Sequence, residues 1–406
     1  MKYIFASFII LFAACKQKPE TATTWQTIQK SLQEKFISAA DGDTIHIEAG
    51  NYMFTRGLQL EGKKNLVITG AGEENTILSF SNQNEGAQGI LITNCSGLTI
   101  QNLTIQDARG DNLKISDTRN LTLRHIRSRW TGPPSSKNGA YALYPVLCKQ
   151  VLIEYCEASG SSDAGIYVGQ SDSVIIRNNK AWQNVAGIES ENSRWVEIYD
   201  NEAFDNAGGL LVFDLPGLTQ YGHTTHMYRN NIHDNNHENF AAPGNVVAGI
   251  PSGSGIMILA THNLEMEDND IVNNQTVGTG IISYELVAAL SEGERAATSG
   301  EGAVQTVQNN FRQDSLYNPF PYDIRIHDNR YSNNHWFPTL SHDIGLVLLW
   351  KSFGAPPDIA FDGIRPDASD PLICIGENGA DLSFINLDAG NEFENLSKDV
   401  SKFSCR

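Results

Sequence analysis

Lysine and arginine are scarce in this chain. They number 29 against 47 aspartates and glutamates, which leaves a net charge of -18. Phosphate backbones are held by clustered basic side chains, so nucleic acid is excluded as a partner, and anionic membrane surfaces are disfavoured. A polyanionic glycan would also be repelled unless a local basic patch received it. Past residue 14 no apolar run is long enough to cross a bilayer. The six cysteines form no CxxC pair and no Cys/His spacing that suggests zinc, and there is no CxxCH, so the chain carries no attached c-type haem.

What is present begins with an address. Met1-Lys2 is a short basic start, Tyr3 to Ala14 is apolar but too short to span, and LFAAC follows. That ending resembles the lipobox of bacterial lipoproteins, which implies cleavage after residue 14, a lipid on Cys15 and a polar tether over 15–23. The expected location is therefore the cell envelope, with attachment to the outer membrane or periplasmic face through that lipid. The remaining cysteines are Cys95, Cys148, Cys156, Cys374 and Cys405, an odd set for an oxidising compartment. Of these, Cys374 and Cys405 could tie down the C-terminal segment, and Cys156 reads as a core residue.

The body, residues 24–406, is a repeat. The pattern apolar-x-apolar, Asn or small residue, turn, then Gly-apolar-x-apolar recurs along the chain. It is seen in LTIQNLTIQD from Leu98, VLIEYCEAS from Val151, VIIRNNKAWQN from Val174, VEIYDNEAFDN from Val196 and IRIHDNRYSNN from Ile324. The first intervals are about 23, 30, 23 and 22 residues, and later ones lengthen by insertion to about 29, 39 and 60. Each copy holds short period-two strands that cannot bury a face alone; stacked coils bury one continuous column. Five residues into successive copies stand Leu103, Ile126, Cys156, Asn179, Asn201, Asn230, Asn269 and Asn329. Asparagines in register can hydrogen-bond one another and tolerate left-handed backbone. Trp25, Ile28, Leu32 and Phe36 lie at helical spacing, so an amphipathic helix over about 24–39 caps the open end. A C-terminal cap is expected over about 358–406.

With that asparagine column the chain resembles the pectate-lyase-like right-handed parallel β-helix repeat family. The implied fold is all-β, a single-stranded right-handed parallel β-helix with a capping helix and long loop insertions in its C-terminal half. It also looks like a group of exported β-helix lipoproteins often encoded beside a c-type cytochrome. The middle coils are similar to those of mannuronan C5-epimerases, whose catalytic coil carries Asp-Pro-His-Asp. The aligned stretch here is Tyr141-Ala142-Leu143-Tyr144-Pro145, without the acid and the histidine, which argues against that activity. No polygalacturonase-like set of paired aspartates with Gly-His-Gly is found either.

Strict alternation nominates the outward residues of the strand after each Gly-apolar signal. One column reads Leu91, Lys114, Ala142, Tyr167, Glu189, Leu211, Met257, Ile282 and Val347. The next reads Thr93, Ser116, Tyr144, Gly169, Glu191, Phe213, Leu259, Tyr284 and Leu349. The early half is polar and the late half apolar. The late half also carries the insertions, after Asp214, Asp234 and Glu285. They are expected to fold over the apolar half and leave the polar half as an open cleft; a bare stripe would instead mark a docking surface.

In that cleft Glu189 and Glu191 face the same way, a pair able to divide acid and base roles or to hold a cation such as calcium. Tyr167 can pass a proton, Tyr144 can stack on a sugar ring, and Asp214 is placed at the rim. The candidate catalytic set is therefore Tyr167, Glu189 and Glu191. Lys114, Arg127, Tyr144 and Asp214 are the candidate substrate-binding residues. Lys114 and Arg127 are assigned to neutralising a uronic-acid carboxylate, although surface arginines more often pair with neighbouring acids. His223, His226, His233 and His237 with Met227 form a weak copper candidate, weak because Met227 points inward. Two functions are expected: binding or modifying carbohydrate, with lyase or epimerase chemistry on an acidic polysaccharide, or a non-catalytic partner of an exported c-type cytochrome.

Overall fold

The computed structural model describes residues 23–243, 245–297, 311–340, 348–349, 354–366, 373–376 and 382–405. The segment around Cys15, together with Val347, lies outside them. Nearly every strand pairs in parallel with the strand one coil above and below, and among the described residues they make an 11-stranded and a 19-stranded sheet. This is the expected parallel β-helix. Each middle coil spends one strand on the first sheet and two on the second, as with Ala164–Gly169, Asp172–Arg177 and Lys180–Trp182.

Alternation explains the interior. Val151, Val174 and Val196 stack in one column, and Ile153, Ile176 and Ile198 in the next, all at most 2% exposed. Each contributes about 1.5–3 kcal/mol by leaving water. At the N-terminal end the helix Thr23–Ser38 buries Leu32 and Phe36. Its Gln29 and Gln33 side chains accept from the backbone N–H groups of Thr55 and Gln59, both at 2.9 Å. Those bonds satisfy part of the open edge beside and along strand Arg56–Glu61. At the other end Cys374 and Cys405 are disulfide-bonded across 31 residues, and Phe403 packs on Phe361 and Phe384. Cys95, Cys148 and Cys156 are buried thiols.

The asparagine column forms as the sequence implies. Nδ2 of Asn179 donates to Oδ1 of Asn201, and the relay continues through Asn230 and Asn269 to Asn329 at 3.0, 3.0, 2.9 and 2.8 Å. The left-handed backbone, however, belongs to the residue before each ladder member: Asn178, Asp200, Arg229, Asp268 and Asp328, with φ between 52° and 56°. A second ladder, unforeseen, runs five residues further on through Asn184, Asn206, Asn235 and Asn274 at 3.0, 2.9 and 3.1 Å. Both pin each coil to the next, because every amide also bonds interior backbone.

Asn201→Ala removes the acceptor of Asn179 and the donor to the Ile176 carbonyl. The buried groups left unsatisfied should cost roughly 2–4 kcal/mol in denaturant unfolding. A loss below about 0.5 kcal/mol would show that the ladder carries no stability.

Candidate functional site

The first sheet carries the candidate site, and backbone pairing fixes its columns. Lys114 is beside Tyr144, Tyr167 beside Glu189, Glu189 beside Leu211, and Leu211 beside Met257. Three coils correct the sequence register. Tyr144 pairs with Lys114 rather than Ser116, which faces Val146 instead. Met257 faces Gly280, so Ile282 stands beside Leu259. Beside Val277–Ile282 the next strand is Ile359–Phe361, whereas the sequence set Val347 and Leu349 there. In the first two cases the shift keeps side chains on the same face and moves them along the strand.

The apolar half is covered. Leu211 is 0% exposed, and Phe213, Met257 and Leu259 are buried with it. The cluster that encloses them contains Val247 and Ile250 from the insertion after Asp234, and Tyr284, Phe311 and Tyr317 from the C-terminal insertion. Tyr317 donates its hydroxyl to the Asp214 carbonyl at 2.8 Å. The apolar stripe is thus filled by the chain's own insertions and is not a free docking face. Asp214, expected at the rim, is buried; its carboxylate accepts from the Gly222 N–H at 2.7 Å, and burial pushes it up to about 8.

The polar half is less open than expected. Glu189 is only 2% exposed, and its Oε2 has no hydrogen-bond partner. Tyr167 donates to Glu191 at 2.7 Å. To do so its ring lies over Gly169, where a Cβ would overlap it. Asp163, immediately ahead of strand Ala164–Gly169, is buried in the same cluster. One of its oxygens accepts from the Tyr141 hydroxyl at 3.2 Å and the other has no partner. The rings of Tyr141, Tyr144 and Tyr167 pack together with centroids 4.4–5.0 Å apart, and the Lys114 ammonium sits 4.5 Å over Tyr144.

Electrostatics follow from this crowding. Burial, then the charge of Glu191, pushes Asp163 up to about 8. Burial, Asp163 and Glu191 push Glu189 well above the usual carboxylate range. Burial raises Glu191 as well, partly offset by the bond from Tyr167. Neighbouring carboxylates out of water cannot all ionise, so the cluster holds protons at neutral pH. Such a site can donate a proton or a hydrogen bond where an ionised pair could not.

Of the remaining candidates, Lys114, Tyr144, Tyr167, Glu189 and Glu191 come together, and Arg127 does not. Its guanidinium lies on the second sheet, bound by Glu157 and Glu74, both at 2.6 Å, which is the ion-pair alternative. Among the described residues no three His, Cys, Asp or Glu side chains are placed to hold a metal. His226 instead meets Glu267 at 3.0 Å and His233 meets Asp234 at 2.9 Å, which leaves the copper reading without a ligand set. Asp163 and Tyr141 are what sequence reasoning missed, since each lies at or beyond the start of its strand.

For Asp163 the folded value lies above the unfolded one, so the native state holds a proton that the unfolded chain releases. Stability from this group is complete below about 3.8 and is lost as pH rises toward about 8. Melting temperature should therefore fall between pH 5 and 8, and Asp163→Asn should flatten the slope. An unchanged slope in the variant would contradict the assignment.

Comparison with known proteins bears on the fold. Residues 56–219 match a family model described as a right handed beta helix region. A pre-neck appendage protein of Bacillus phage B103 is 25% identical over 210 residues, 43% of this chain and 24% of that protein. The phage phi29 counterpart is 24% identical over 269 residues, 57% of this chain and 31% of that protein. The chain spans about a quarter to a third of the length of these relatives. Among solved structures, the A-module of an Azotobacter vinelandii mannuronan C-5 epimerase has a TM-score of 0.52 at 15% identity, with 87% of this chain and 89% of that one covered. A second such A-module has a TM-score of 0.52 at 15% identity, covering 88% and 91%. The chain is a right-handed parallel β-helix, similar in fold to those A-modules along most of its length.

Proposed function

We propose that the first sheet binds an acidic polysaccharide and performs proton transfer of the lyase or epimerase class on it. One observation carries the reading: Glu189 and Asp163 each keep a buried oxygen without a partner, beside a cluster of three tyrosines whose far ring, Tyr144, carries Lys114. A carboxyl group that holds its proton can donate to a uronate carboxylate, where an ionised one would repel it. Neutral Glu189 would draw charge from the substrate carboxylate and so acidify the adjacent C5 proton, while Lys114, three coils along, would hold the carboxylate of another sugar in the chain. Tyr167 would take that proton while passing its own hydroxyl proton to the Glu191 carboxylate, and Tyr144 would support the sugar ring. The net charge of -18 is no obstacle to this, because the site itself carries little negative charge while its acids are protonated.

The test is hexamannuronate and hexaguluronate with the whole chain. Ultraviolet absorbance would follow C4–C5 double-bond formation, and proton exchange at C5 would follow epimerisation. Wild type should act on one of them, and Glu189→Gln should lower turnover by about 100-fold with the melting temperature held. Failure of both oligomers to bind would remove the proposal.

Export and lipid attachment through Cys15 belong to the same reading, since a tethered enzyme would meet polymers outside the cytoplasm. Labelled palmitate should enter the wild-type chain and not Cys15→Ser, and the variant should leave the membrane fraction. Equal labelling would contradict the anchor. A role as partner of an exported c-type cytochrome keeps only the resemblance behind it, because the stripe it drew on is filled by Ile250, Tyr284 and Tyr317.

A further inference from the structure

The second sheet presents a different surface, around the turn that follows Glu191. In successive coils the second sheet begins with one residue in the left-handed region: Asn65, Gly97, Asn120, Gln150, Ser173, Trp195, Thr224, Asn263 and Asp323. Flanking strand pairs put these residues in one column. Eight of the nine are glycine or polar, the types that tolerate or locally satisfy this backbone. Trp195, at φ 56°, is the exception. A bulky aromatic there is an outlier, and it gains little from burial because it is 57% exposed.

The exposed ring borders a cleft of about 420 Å³ that runs across four coils. Its floor is two polar columns two residues apart along the strands, with members one coil apart: Thr224, Asn263 and Asp323 in one, and Glu197, His226, Glu265 and Arg325 in the other. The ring is backed as well as exposed. It meets His223 edge-on at 5.5 Å, His223 contacts His262 at 5.7 Å, and His262 stacks on Tyr322 at 4.5 Å. Burial lowers both imidazoles, His262 to about 4, so this backing is uncharged at neutral pH. Cleft charges are Glu197, Glu265 and Asp323 against Arg325, with no excess of positive charge to receive a polyanion.

We propose that this cleft binds a neutral oligosaccharide lying along the helix axis, with one pyranose ring on Trp195 and its neighbours over the polar columns. Aromatic faces receive the apolar face of a sugar, and carboxylates and guanidinium bond its hydroxyls. The strand spacing of about 4.8 Å repeats those polar groups at close to the length of one sugar ring. A held aromatic loses little freedom on binding. This inference stands apart from the reading of the first sheet, since it involves other residues and the opposite charge preference.

The test uses the full chain with maltohexaose, cellohexaose and mannohexaose, followed by calorimetry and tryptophan fluorescence. At least one should bind. Trp195→Asn installs the residue that three other coils carry at this position, so the fold should hold and the melting temperature should stay level or rise. Affinity in that variant should fall at least about tenfold, and hexamannuronate should not displace the neutral sugar. Absence of binding by all three at millimolar concentration, equal affinity in Trp195→Asn, or displacement by hexamannuronate would each overturn the proposal. Activity toward uronate oligomers should be unchanged in Trp195→Asn, which separates failure here from failure at the first sheet.

Discussion

Coil-to-coil stacking is the constraint from which the rest of the molecule follows. Parallel pairing leaves no freedom once a strand is in place, and side chains separated by 22 or 60 residues become neighbours at a single strand spacing. The two asparagine ladders hold that register from inside. Each amide satisfies the coil above and the backbone beneath it, so a slip would strand several buried polar groups together. Chemistry on the outer face inherits this rigidity. Tyr167 reaches Glu191 because its strand is locked one coil away, and Asp163 immediately precedes that same strand.

Insertions supply what a bare β-helix lacks. A stack of identical coils exposes a flat face, with water on every outward side chain. Here Ile250, Tyr284, Phe311 and Tyr317 exclude water from the late half, and the dry region extends to Glu189. Burial, more than any single partner, raises Asp163, Glu189 and Asp214. The same loops that stabilise the apolar stripe therefore set the protonation of the acids beside it. The second sheet has no such cover at Trp195, and its ring remains in water.

Much of this was legible in the sequence, and the failures have physical reasons. Period-two alternation gives the inward and outward faces, so the core, the first ladder and the covered stripe could be read directly. Alternation is blind to a shift of two, because such a shift preserves the face. That is why Tyr144 was set beside Ser116 when it faces Lys114 across a long insertion. The pattern also cannot tell an open outward face from one beneath a loop, so Glu189 read as solvated. The second ladder, Asn184 to Asn274, stands at a constant five-residue offset from the first, in a column where the earlier coils carry no asparagine to mark it. Arg127 failed differently: proximity in sequence to Lys114 says nothing of which sheet a residue serves, and its strand lies around a turn.

The central claim is that stacked coils and the insertions over them draw carboxyl groups out of water until they keep their protons. Infrared spectroscopy of the whole chain at neutral pH tests it most directly, through the carbonyl stretch of protonated carboxylic acid. A protonated band that shrinks in Glu189→Gln and again in Asp163→Asn is the expected result. A spectrum at neutral pH with carboxylates alone, or a band that neither substitution changes, would contradict the account.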